Sequence, residues 1–76
     1  MSLNEKIAFV YRAFDAYSKR QCYLSDIARN LHSPYEAVRQ LALHLDYVRG
    51  SRKSVVSESQ FSSDIVVRNI VAGLSL

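Results

Sequence analysis

The chain has 76 residues, 49% of them apolar, and a formal net charge of +3. That length limits it to one small domain with little room for a substrate pocket, and the apolar content excludes a disordered or low-complexity chain. The charge is a modest basic excess, in keeping with a polyanionic partner but not enough to establish one.

The excess is local. Between Lys19 and Lys53 seven lysines and arginines meet three acids, whereas the remainder of the chain holds three bases and four acids. A single cysteine, Cys22, excludes an internal disulfide, and with two scattered histidines it makes no recognisable zinc set; no metal or cofactor is expected. No apolar run approaches the ~18 residues of a membrane span, and the first residues lack the basic-then-apolar layout of a signal peptide. The expectation is an intracellular protein, cytoplasmic or nucleoid-associated. Without a Gly-rich phosphate loop, a paired-carboxylate spacing or a nucleophile motif, it is not expected to be an enzyme.

In chain order, Ser2 and Glu5 form an S-x-x-E helix start, followed by Ile7, Val10, Tyr11, Phe14 and Tyr17 at steps of three and four. This predicts an amphipathic helix over residues 3–18, ended by the polar "SKRQ". Ser25 or Leu24 then precedes Asp26, an acid suited to the positive end of a helix, and Ile27, Ala28 and Leu31 supply the buried side of a short second helix near residues 25–31. Cys22, beside Tyr23, reads as a small buried hydrophobe.

The stretch "NLHSPYEAVRQLALHL", residues 30–45, carries the most information. Ser33, Pro34 and Glu36 read as an N-cap, a first helical residue and an acid that reaches back to the cap N–H. A third helix from Pro34 then buries Val38, Leu41 and Leu45, with Ala37 and Ala42 as small flanks. Tyr35, Glu36, Arg39 and Gln40 point outward, with Leu43 and His44 further along. After Gly50 the pattern changes: Tyr47-Val48 and Val55-Val56 flank a Gly-, Ser- and base-rich turn, the layout of a short β-hairpin. Beyond Gln60, Ser62 or Ser63 can cap a last segment over residues 62–74, which Gly73 would end. Its three valines and two isoleucines also suit a strand, but the Ser-Asp start and the Arg68-Asn69 stripe favour helix.

Two helices joined by about four residues make a helix-turn-helix unit, and Ile27-Ala28, Leu31, Val38 and Leu41 follow that family's spacing of aliphatic anchors. Ala28 takes the position where the helices cross. His32 departs from the pattern, which often has glycine in the turn, where positive φ is needed. With a helix before it and a basic hairpin after it, the chain resembles a small winged helix-turn-helix DNA-binding domain of prokaryotic or phage type, over residues 3–57. The resemblance implies a mostly α fold with a three-helix core, a wing and a C-terminal helix in one domain over residues 1–76.

It also implies a function: a sequence-specific double-stranded DNA-binding transcription regulator, a repressor or activator. The third helix would enter the major groove and the wing would lie on the backbone. Arg39 has the fork that reads guanine and Gln40 the amide that reads adenine. Ser33 and Tyr35, beside Glu36, would hold phosphate at the start of that helix, and Arg29 on the preceding helix with Arg49, Arg52 and Lys53 on the wing would anchor phosphates. A homodimer is expected, with the last segment serving equally well as core cover or as the dimerisation surface. The competing expectation is a protein-binding module, an inhibitor, adaptor or assembly factor. Glu36 and Asp46, acids on the presumed DNA face, favour it.

Overall fold

A computed structural model describes residues 2–49 and 56–75, with residues 47–49 described as backbone only. Among the described residues there are five helices: α1 (Leu3–Ser18), α2 (Leu24–Asn30), α3 (Tyr35–Arg49), α4 (Glu58–Ser63) and α5 (Ile65–Ala72). α1 packs against α2, α4 and α5, while α3 lies between α2 and α5.

α1 starts where its cap dictates. The Ser2 hydroxyl accepts the Glu5 N–H at 3.3 Å and donates to the Glu5 carboxylate at 3.2 Å, relieving one of the unpaired donors of the first turn. Ile7, Val10 and Phe14 form its buried edge. Its end is set by Arg20, which takes a left-handed φ of 59° so that the Arg20 and Gln21 N–H groups, each at 3.0 Å, return to the Tyr17 and Ala16 carbonyls. This pair of bonds is a Schellman motif, which usually has glycine at the left-handed position.

α2 ends in the same way. His32 has φ 49°, and the His32 and Ser33 N–H groups bond the Arg29 and Ala28 carbonyls at 3.1 and 3.0 Å. The turn therefore adopts the conformation expected of glycine, although its residue is histidine. Leu31, with no exposed surface, pins the turn to the interior, in the same core cluster as Ile27, Val38, Leu41 and Leu45. Ala28 is also buried, a small side chain on the face of α2 that packs on α3.

The expected wing is overturned. Tyr47 and Val48 lie in α3, not in a strand, and no strand occurs among the described residues; of the other expected arm, Val55-Val56, Val55 lies outside them and Val56 is not in a strand. The helical stripe of Val38, Leu41, Ala42 and Leu45, all buried, carries the helix through Tyr47-Val48, and packing of that kind overrides a β-propensity of at most ~1 kcal/mol. Over the described residues the fold is all-helical. Val56 is buried beneath Tyr11, whose hydroxyl donates to the Val56 carbonyl at 3.3 Å.

The C-terminal part is also differently divided. One helix was expected over 62–74, but α4 and α5 are separated by Asp64. Ser57 caps α4 by accepting the Gln60 N–H at 3.2 Å. Ser62 and Ser63, the expected caps, sit inside α4 and donate to the Ser59 and Gln60 carbonyls. Asp64 caps α5 instead, its Oδ1 accepting the Val66 and Val67 N–H groups at 2.9 and 3.3 Å. Phe61, Val67, Val71 and Leu74 then complete the core, with the Phe61 ring 5.4 Å from that of Tyr11.

The turn supplies a test of this description. A non-glycine residue in the left-handed region costs roughly 1–2 kcal/mol, part of which glycine returns through its larger unfolded-state entropy. His32→Gly should therefore raise stability by up to about 1 kcal/mol, read as a higher urea midpoint; a lower midpoint would show that the turn is not strained at His32.

Candidate nucleic-acid interface

α3 is held at its start by backbone bonds, not by the expected side-chain cap. The Pro34 carbonyl accepts the Ala37 and Val38 N–H groups at 3.1 and 3.4 Å, and the helix begins at Tyr35, one residue later than expected. The Ser33 hydroxyl donates back to the Leu31 carbonyl at 2.9 Å. Its N–H is already used by Ala28 in closing the turn, so the expected reach of Glu36 to that group does not occur.

Glu36 turns along its own helix instead. Its Oε1 accepts Gln40 Nε2 at 3.0 Å and lies 3.5 Å from Arg39 Nη1. Tyr35, Glu36, Arg39, Gln40 and Leu43 are all exposed while Val38, Leu41 and Leu45 are buried, so one helix divides cleanly into an anchored edge and an outward face. Four of the expected site residues are thus brought together. An exposed ion pair of this kind is worth about 0–1 kcal/mol, so a stronger acceptor can take Arg39 from Glu36 at small cost. Until then, Glu36 keeps both neighbours extended along the helix.

The remaining expected positions fare differently. Arg29 is exposed on α2, 3.8 Å from Asp26, whose other carboxylate oxygen accepts the Tyr23 N–H at 3.1 Å. The Arg49 side chain, Arg52 and Lys53 lie outside the described residues. Among the described side chains between Lys19 and Asp46, four bases stand against three acids, so most of the local basic excess of the sequence comes from Arg49, Arg52 and Lys53.

His44 does not join the outward face. Its side chain is only 19% exposed and its Nε2 lies 2.7 Å from Asp64 Oδ2, tying the middle of α3 to the cap of α5. Burial works against charge on Asp64, but the hydrogen bond from His44, the Val67 and Val66 N–H groups and the charge of His44 outweigh it. The carboxyl therefore titrates below its ordinary value of 3.8. Sequence reasoning missed this link. Asp64 ahead of Ile65-Val66 was a visible cap signal, but its pairing with a histidine 20 positions away was not.

No family model, curated protein or solved structure matches the chain. Among the described residues, no helix is long and apolar enough to cross a membrane, and no group of three His, Cys, Asp or Glu side chains stands where it could hold a metal ion.

The Asp64 link has a pH signature. A carboxyl whose pKa is lower folded than unfolded adds stability above its ordinary value and loses it as pH falls through the folded value. Stability should therefore drop below about pH 4, and Asp64→Asn should flatten that part of the curve while losing roughly 1 kcal/mol at neutral pH through its weaker cap and the lost partner of His44. Thermal melts across the acid range give both readings; an unaltered acid limb in the variant would contradict the link.

Proposed function

We propose that the chain is a sequence-specific double-stranded DNA-binding regulator of helix-turn-helix type, which lays the outward face of α3 in the major groove. The observation that carries this reading is the division of α3: a tight left-handed turn and a buried aliphatic edge leave Tyr35, Glu36, Arg39 and Gln40 together on the open side. At 15 residues, the helix is about 22 Å long, and a major groove about 12 Å wide admits an α-helix. Arg39 would read guanine through its paired N–H groups and Gln40 adenine through its amide. Glu36 would release both on docking. Tyr35, at the start of α3, and Arg29 on α2 would hold phosphates; Ser33, whose hydroxyl and N–H both already donate within the turn, has no donor left for one.

Regulation would follow from occupying a promoter, and a homodimer would double the contact on an inverted repeat. Exposed Ile65 (68%) and Val66 (40%) on α5 and Phe9 (41%) on α1 are the apolar surface that supports self-association. A basic segment after α3 would add backbone contacts, without any hairpin being required.

A second reading is a protein-binding module that uses the same face. It is favoured by two exposed apolar or aromatic side chains of α3, Leu43 at 48% and Tyr35 at 49%, and by the acid at the centre of the Arg39–Gln40 cluster. Salt separates the two. Phosphate neutralisation makes log affinity fall linearly with log salt, with a slope near −0.9 per contact, whereas an apolar protein interface changes little.

The test is selection of preferred sites from random duplexes at near-physiological salt, followed by titration of variants. Arg39→Ala should lose about 1–3 kcal/mol on the preferred site and relax discrimination at one position. Arg29→Ala should weaken all duplexes alike and reduce the salt slope by about 1. Variants that bind as the parent does would reject the assignment.

A further inference from the structure

Three helix ends converge at one place outside the Arg39–Gln40 cluster, and each delivers a tyrosine. Tyr17 lies in the last turn of α1, Tyr23 caps α2 and Tyr35 opens α3. Together with Leu24 and Ser25 they line a shallow cleft of about 330 Å³. The Tyr17 ring is steadied edge-on against Phe14, 6.1 Å between centroids at 78°. Tyr23 is 78% exposed, the most of any large apolar or aromatic side chain described. Of the four tyrosines with described side chains, only Tyr11 has a hydroxyl bonded to a described residue; Tyr23 and Tyr35 are exposed, and Tyr17, half-buried against the core, lines the cleft between them.

Tyr23 is also a wall of a second cleft, about 440 Å³, which Arg20 lines. The Arg20 backbone takes the left-handed conformation that ends α1, and its exposed side chain has no acidic partner among the described residues. The acids nearest in sequence are already engaged: Asp15 with Lys19 at 3.0 Å, and Asp26 with the Tyr23 N–H and Arg29. The chemistry on offer is therefore a set of aromatic faces leading to an uncompensated cation. Planar rings strung along an anionic backbone meet both demands at once, through stacking that every base can provide and through phosphate pairing.

We propose that this tyrosine cleft is a binding site for single-stranded nucleic acid, with bases stacked on Tyr23, Tyr17 and Tyr35 and the phosphate backbone led past Arg20. Tyr35 belongs to both surfaces, Tyr17 and Tyr23 to this one alone, and the site stands whether or not α3 reads duplex DNA. Proline-rich peptides also favour aromatic-lined grooves, but they leave Arg20 without a counter-charge.

The test is anisotropy of labelled oligothymidylate and oligouridylate titrated with the intact chain, beside a duplex and a polyproline peptide, with quenching of tyrosine emission as a second readout. At least one single strand should bind and quench. Tyr23→Ser, which keeps a good helix cap and is checked for fold by circular dichroism, should weaken single-strand binding by roughly 5- to 150-fold, the equivalent of one lost stack. Tyr23→Phe should bind as the parent does. Tyr23→Ser should leave duplex binding unchanged and Arg39→Ala should leave single-strand binding unchanged, so failure of the duplex reading and failure of this one are told apart. No single-strand binding, binding indifferent to Tyr23→Ser, or tighter binding of polyproline would each overturn the proposal.

Discussion

The short turn between α2 and α3 governs what the rest of the molecule can present. Four residues, 31–34, must reverse the chain and aim a new helix, and they do so through a buried leucine, a left-handed histidine and a proline that supplies no donor. Two backbone bonds close it, from His32 and Ser33 to Arg29 and Ala28. Once these are made, Val38, Leu41 and Leu45 have one direction in which to find cover. The outward direction of Arg39 and Gln40 is then a consequence of helical periodicity. Any function assigned to that face rests on this turn more than on the side chains themselves.

A core of this size needs closure from elsewhere in the chain. α4 and α5 supply it by packing on α1 and α3, and polar contacts fix their positions: Tyr11 to Val56, Lys6 to the Leu74 carbonyl at 3.3 Å, Arg68 to the Ser62 carbonyl at 3.0 Å, and His44 to Asp64. Asp64 does two things with two oxygens. It caps α5 with one and holds α3 with the other. The C-terminal helices are thus part of the frame that holds α3, which leaves their exposed Ile65 and Val66 as the only part of α5 suited to a dimer contact among its large side chains.

The helical frame was legible in the sequence wherever periodicity and caps agreed. α1 matched the range read from Ser2, Glu5 and the Ile7-Val10-Phe14 stripe, and α2 and α3 fell within a residue or so of theirs at the amino end. The strands failed because Tyr47-Val48 was judged by β-propensity, which is mostly a preference for fitting a half-buried surface, when the stripe of α3 simply ran on through them. α4 was missed for the opposite reason. "SESQF" contains an S-x-x-Q start, but one aromatic anchor, Phe61, gives no period to detect. At the candidate interface the residue identities were readable and the partnerships were not. Ser33, Pro34 and Glu36 together spell a capped helix start, and only the closed turn shows that the Ser33 N–H is already committed. His44 was assigned outward by its position on the helix, whereas Asp64 drew it under cover. The converging tyrosines were treated as packing residues or separately, since nothing in their spacing says that three helix ends meet.

The central claim is that duplex DNA docks on the outward face of α3. Amide chemical-shift mapping of the labelled chain with a selected duplex tests it most directly, because it reports where contact occurs without altering a side chain. Changes should concentrate between residues 29 and 44, on the open side of α3 and its turn, with α5 little affected. Changes centred on α5, or none at saturating duplex, would contradict it.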